Sequence, residues 1–326
     1  MIYPQNFEQK IGFDEIRRLL KGHCLSTLGQ EKVEQMQFMT ELQAIRQRQE
    51  QTREFIKIME GEEEFPAQDF FDVRPAIRRI RVEGTYLDEN ELFDLKRSLA
   101  TLIAIVQFLN KGNDEGEEGE TEGYHGPYPA LHRLAEGVAV FPQIVRRIDG
   151  ILDRYGKIKD TASTELLRIR RELAATEGSI SRTLHSILRS AQQNGIVDKD
   201  VAPTMRDGRL VIPVAPALKR KIKGIVHDES ATGRTVFIEP AEVVEANNRI
   251  RELEGEERRE IIRILQEFTA EIRPFQRELL DSYEFLAEID FIHAKAGLAR
   301  QFDAITPDLK GAPLIDWTLA RHPLLS

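Results

Sequence analysis

The chain has 326 residues, of which 41% are hydrophobic, 31% charged and 7% aromatic, and its formal net charge is −9. That length is ample for a core and points to two or three domains, while high charge with few aromatics suits long, solvent-exposed helices better than an aromatic-filled sandwich. Collagen-like, wholly disordered and uniformly basic chains are excluded, no apolar run approaches a membrane span, Met1-Ile2-Tyr3-Pro4 does not open a secretory signal, and the single Cys24 permits no internal disulfide and fits a reducing, cytoplasmic compartment.

The first hundred residues predict short amphipathic helices. Phe13, Ile16, Leu19 and Leu20 recur at helical spacing before Gly22, and 31–36 and 41–59 continue the pattern until Gly61 to Pro66 interrupts it. Pro75 suits the first turn of a short helix ending near Ile80. Asp88, with Glu91 three residues on, predicts a capping-box start to a helix whose stripe is Leu92, Leu95, Leu99, Leu102 and Val106. Between Gly112 and Gly123 lie six acids, no base and no apolar residue. Such a segment reads as a mobile surface loop rather than a metal site, because it lacks a defined ligand spacing.

The middle of the chain changes character. Residues 161–193 predict a helix about 50 Å long at 1.5 Å per residue, with Leu166, Ile169, Leu173, Ile180, Leu184 and Ile187 near a three-four alternation. A second long helix is predicted over 241–272, with Pro240 at its start and Pro274 at its stop. Two narrow seams close in sequence are best satisfied by pairing as an antiparallel coiled coil. Between them, Arg209–Val214 after an Asp207-Gly208 turn, 222–227 and 235–238 read as strands. A small β element therefore belongs at the tip of a two-helix arm. A last long helix is expected over 275–299, followed by a segment that holds Trp317.

No catalytic constellation emerges. The chain has no GxxxxGK[ST], CxxC or HExxH pattern, and its seven histidines are scattered. His23 and Cys24 point about 100° apart on a helix and read as structural. His227-Asp228-Glu229-Ser230 reads as a polar turn joining two strands, since contiguous residues on a strand alternate faces and cannot converge on a nucleophile. Glu/Arg pairs such as Glu254 with Arg258 read as solvated helix-face pairs, each contributing a few tenths of a kcal/mol. The same applies to the Arg74, Arg78, Arg79 and Arg81 run.

The exception is the arm tip. From Arg206 to Val226 there are six bases, Arg206, Arg209, Lys219, Arg220, Lys221 and Lys223, against the single acid Asp207, and Arg234 follows shortly. Bases on a β tip reach phosphate oxygens without reading base edges. They also serve as a lysine-rich edge that blocks aggregation, and composition leaves both readings open. Phe237 is the only aromatic nearby, which favours backbone contact over base stacking.

Several blocks are similar to the MutS family, in particular its shortened bacterial second paralogue that lacks the mismatch-recognition and connector domains. These are Leu28-Gly29, Asp72 to Ala76, Leu87 to Leu92, Arg209 to Val214, the long run Gly224 to Pro240, and Ala320 to Leu324. The resemblance implies a mostly α fold: a helical core over 1–158 with the acidic loop at 112–123, a first lever helix over 159–195, a β-rich clamp over 196–240, a second lever helix over 241–273, a core helix over 274–302, and the opening of an ATPase domain over 303–326. It implies a parent protein that uses ATP and magnesium, dimerises mainly through its ATPase domain and carries a C-terminal endonuclease domain, with the chain ending before all three. On that reading this portion is not itself an enzyme and has no cofactor or metal. It binds branched or duplex DNA through phosphate contacts, in suppression of recombination and DNA repair. The alternative is a protein- or rRNA-interaction lever of a ribosome-associated quality-control factor. No membrane partner is expected.

Overall fold

The computed structural model describes residues 6–111, 126–312 and 314–325, so the acidic stretch 112–123 lies outside the described residues. The described chain contains α1 (Phe7–Lys10), α2 (Phe13–His23), α3 (Thr27–Glu34), α4 (Leu42–Glu60), α5 (Arg74–Arg79), α6 (Glu89–Leu109), α7 (Pro129–Ala135), α8 (Pro142–Ile151), α9 (Thr164–Gln193), the strands β1 (Thr204–Arg206), β2 (Arg209–Val214), β3 (Gly224–Glu229) and β4 (Val236–Pro240), then α10 (Ala241–Ile272) and α11 (Gln276–Gln301). Among these residues no helix is long and apolar enough to cross a membrane. The fold is mostly α with a small antiparallel sheet. It divides into two compact units, one of Met1–Gly156 with Phe268–Ser326 and the other of Lys157–Glu267.

In the first unit α11 is the central element, packed against α2, α3, α4 and α5. Its periodicity predicts one apolar stripe through Leu279, Tyr283, Leu286, Ile289 and Ile292. The structure also buries Phe285, Ala287, Phe291, Ala294, Ala296 and Leu298, because neighbours surround the helix. The helix α6 starts as its sequence predicts. The Asp88 carboxylate accepts from the Glu91 amide at 2.9 Å, and Glu91 accepts from the Asp88 amide at 3.0 Å. Leu92, Leu95, Leu99 and Leu102 of its stripe are buried.

Pro274 stands at the stop of α10, which ends at Ile272 as its sequence predicts. It lies in a short 3-10 turn, Arg273–Phe275, from which α11 continues. Proline is compatible with the first turn of a new helical segment, where its missing N–H is not needed. The Arg273 guanidinium donates to the Ile80 carbonyl at 2.7 Å and the Gln276 amide to the Ile77 carbonyl at 2.6 Å, so α5 holds this junction. Residues 303–325 form no helix or strand where described, and Ile305, Ile315, Trp317 and Leu319 are exposed.

The second unit is built on α9 and α10, 30 and 32 residues long. Ser163 caps α9 by accepting from the Leu166 amide at 2.9 Å and donates to the Glu260 carboxylate of α10 at 2.6 Å. Arg170 pairs with Glu257 at 2.7 Å, Arg168 with Glu256 at 3.2 Å and Arg249 with Glu172 at 2.8 Å. Partner numbers fall along α10 as they rise along α9, so the helices run antiparallel. The Glu254–Arg258 pair expected within one helix does not form. Pairs of that kind form at other positions of the two helices, Arg168 with Glu165 and Glu172 and Arg263 with Glu260 and Glu267.

The sheet of this unit has the order β1-β2-β4-β3 and is antiparallel throughout. The strand β1 has no counterpart in the sequence reading, since its three residues are too few to show alternation. Asp207 and Gly208, at φ of 48° and 74°, close a two-residue hairpin between Arg206 and Arg209. Both residues in the left-handed region is the type I′ requirement that Asp-Gly signals. Ile212, Val214, Val236 and Ile238 share one core with Ile180, Leu184, Leu188 and Val243. Pro240 ends β4 and stands at the start of α10, which begins at Ala241 as its sequence predicts.

Candidate nucleic-acid interface

The seven bases singled out by sequence divide into two groups. Arg209 points inward from β2. Its guanidinium lies 2.7 and 2.9 Å from the two carboxylate oxygens of Glu239 and 3.3 Å from the Asn248 side-chain oxygen, and its side chain is only 13% exposed. Arg206 lies with its guanidinium 4.3 Å from the centroid of the Phe237 ring and 3.8 Å from Asp228, with nearly half its side chain exposed. The other five, Lys219, Arg220, Lys221, Lys223 and Arg234, are exposed, and none of them forms an ion pair.

Lys219, Arg220 and Lys221 are not on a strand. Ala215-Pro216 turns the chain out of β2 into a 3-10 segment, Pro216–Lys221, that ends at buried Ile222. A 3-10 helix has three residues per turn, so these three consecutive bases project in three directions around the segment rather than along one face. Lys223 follows at the entrance to the edge strand β3, and Arg234 lies in the turn between β3 and β4. The result is a group of exposed cations on the connections of the sheet, with Ile222 and the partly buried Leu218 anchoring it to the core.

Beneath the sheet lies a polar centre that the sequence reading did not predict. The Glu239 side chain is wholly buried. It accepts from Arg209, from the Asn247 amide of α10 at 2.5 Å and from the His227 Nε2 of β3. His227, Asp228 and Glu229 therefore belong to a strand and not to a turn. The pairing of β3 with β4 shifts between Val226 and Asp228, which leaves His227 as the extra residue of a bulge. A bulge re-aims a side chain, and here it sends the imidazole to Glu239. Burial pushes the Glu239 carboxyl up, but the hydrogen bonds from Asn247, His227 and Arg209 and the nearby guanidinium charge outweigh it and hold the group below its ordinary value. The one available signal was an acid at a strand position flanked by apolar residues, Ile238 and Pro240.

Elsewhere, chemistry set aside from the sequence proves structural. The Arg74 guanidinium is buried against Asp72 at 2.8 Å and Glu31 at 2.7 Å, so it is no part of a solvated face. Arg79 pairs with Glu91 at 2.5 Å. Burial and the neighbouring Asp290 carboxylate push the Cys24 thiol up to about 12. Iodoacetamide at pH 8 is expected to alkylate Cys24 at least a hundredfold more slowly in the folded chain than in urea, because only the thiolate reacts. Equal rates would contradict this burial.

No GxxxxGK[ST] loop occurs in the sequence, and among the described residues no group of three His, Cys, Asp or Glu side chains could hold a metal ion.

In class this is a mostly helical protein whose second unit presents cations on the connections of a small sheet between two paired helices. The chain is similar to proteins named Endonuclease MutS2. It is 34% identical to that of Geobacillus sp. (strain WCH70) over 313 residues, 96% of this chain and 38% of the relative. It is 35% identical to that of Pelotomaculum thermopropionicum over 317 residues, 97% of this chain and 39% of the relative. For Enterococcus faecalis the identity is 32% over 322 residues, 99% of this chain and 39% of the relative. The chain spans about two fifths of the length of these curated relatives. No protein-family model matches it.

Proposed function

We propose that the second unit is a clamp for the phosphate backbone of DNA, within a MutS-like protein of DNA repair and recombination control. The observation that carries this reading is the group Lys219, Arg220, Lys221, Lys223 and Arg234, exposed and without ion pairs in a chain of net charge −9. Cations held near a surface with no acid to neutralise them are the footprint of phosphate contact, and they read no base edge. Arg206 supports the group from β1, and Arg209 holds the sheet together instead of reaching outward. In the longer protein, the paired helices transmit nucleotide-driven motion to the clamp, and ATPase activity, endonuclease activity and homodimerisation belong to residues outside this chain.

Fluorescence anisotropy with a 30-bp duplex, a four-way junction and an rRNA hairpin tests this. Affinity is expected to fall steeply with salt, with a slope of roughly 0.9 per phosphate neutralised on duplex DNA. Charge reversal of Lys219, Arg220, Lys221 and Lys223 together is expected to lower affinity for the duplex at least tenfold at low salt. Unchanged affinity would sink the reading, and a preference for the rRNA hairpin over both DNAs would redirect it to a ribosome-associated role.

A further inference from the structure

Along α9 the exposed charges change in kind. In its first part, Arg168 lies within 3.2 Å of Glu165, Glu172 and Glu256, and Arg170 within 2.7 Å of Asp160 and Glu257. From Gly178 to Gln193 the helix carries two bases, Arg182 and Arg189, and no acid. Both are exposed and neither forms an ion pair. The acids nearest in sequence, Glu177 and Asp198, pair with neither of them.

The two arginines share one face. Seven residues at 100° each return almost to the starting direction, and at 1.5 Å per residue the two Cα atoms stand about 10.5 Å apart along the axis. Ile180, Leu184, Leu188 and Ala191, which enter the sheet core, occupy the opposite face. Arg182 and Arg189 therefore point directly away from the core. Between and beside them stand exposed Ser186 and His185, whose Nδ1 donates to the Ser181 carbonyl at 2.7 Å and leaves Nε2 outward. An ordinary solvated helix face, such as the first part of α9, gives its arginines acidic neighbours. This one supplies only small or neutral polar groups, which let an anionic backbone approach.

We infer that Arg182 and Arg189 of α9 form a second phosphate-contact surface, separate from the sheet connections, that takes two phosphates of a nucleic-acid strand. The inference rests on the reading of the second unit as a nucleic-acid clamp, and it extends the contact from the loops onto a rigid helix.

The test compares Arg182→Ala/Arg189→Ala with the control Arg258→Ala/Arg259→Ala, which removes the same charge from exposed positions of α10, using a 30-bp duplex between 50 and 200 mM salt. Far-UV circular dichroism verifies that both variants keep the wild-type helix content. The expected result is a salt slope smaller by about 1.8 for the α9 variant, from two lost contacts at roughly 0.9 each, with the control unchanged. An α9 variant with the wild-type slope overturns the inference, and so does an equal loss in the control, which would report net charge alone. If reversal of the sheet-connection bases has no effect while the α9 variant loses slope, the clamp reading fails and this surface stands. If the wild-type chain does not bind the duplex, both fall.

Discussion

Arg209→Ala is expected to destabilise the second unit by about 3–5 kcal/mol, the cost of breaking a buried ion pair from one side. The magnitude follows from which partner is left behind. Glu239 is wholly buried, whereas Arg209 keeps 13% of its side chain exposed. Removing the arginine therefore strands a charge with no route to water, with only His227 and Asn247 left to hold it. Glu239→Ala is expected to cost less, because the freed guanidinium can turn toward solvent, although the Asn247 amide and His227 Nε2 also lose their acceptor. Hydrogen exchange of β2, β3 and β4 amides measures both, since it reports the opening of this sheet alone. Equal protection in wild type and Arg209→Ala would show that the centre contributes nothing.

The same centre sets an acid limit. Because the folded-state Glu239 carboxyl titrates below its ordinary value of 4.5, its contribution is fully present above that pH and is lost as pH falls toward the folded-state value. Wild-type protection of the sheet is expected to decline through that acid range more steeply than protection in Glu239→Gln, which has no carboxyl to titrate. In a binding experiment Arg209 also separates structure from contact. Substituting it should lower the population of the ordered clamp without lowering the salt slope, because it neutralises no phosphate.

The second large effect belongs to the first unit. Asp290→Ala is expected to cost about 3–5 kcal/mol and to lower the urea midpoint followed by circular dichroism at 222 nm. The Asp290 carboxylate, wholly buried on α11, accepts from the Leu25 amide at 2.7 Å, the Ser26 amide at 3.0 Å, the Ser26 hydroxyl at 2.6 Å and the Gly29 amide at 3.1 Å. A negative charge at the start of α3 satisfies amides that the helix itself leaves unpaired and complements its dipole. Gly29 is required by the closeness of this contact, since a Cβ there would lie 2.5 Å from the Asp290 carboxyl. Gly29→Ala should therefore destabilise as well. The double variant Gly29→Ala/Asp290→Ala should cost less than the sum, because removing the carboxylate relieves the collision. Strict additivity would argue against that contact.

The Leu28-Gly29 pair, one of the blocks similar to the MutS family, thus has a physical meaning that its letters do not reveal. Sequence shows a glycine inside a helix, which ordinarily weakens it. Only the partner at Asp290, more than 260 residues away, shows why no side chain fits there. Arg209 is similar in kind. Its letter and its neighbours place it with the exposed bases, and its burial depends on Glu239, 30 residues later and on another strand.

By itself, the sequence determined what depends on neighbours within a few residues. The capping box at Asp88 and Glu91, the Asp207-Gly208 hairpin turn and the long periodic helices that became α9 and α10 are local events, governed by backbone conformations that short motifs encode. The pairing of those two helices was legible as well, because a narrow apolar seam has few other ways to leave water. Tertiary structure alone decided which charges stay at the surface. A charge is retained in the interior only where several donors from separate elements converge on it, and convergence on Glu239, on Asp290 or around Arg74 is a property of the folded chain. That selection withdrew Arg209 from the surface and left Lys219, Arg220, Lys221, Lys223 and Arg234 exposed on the connections of the sheet.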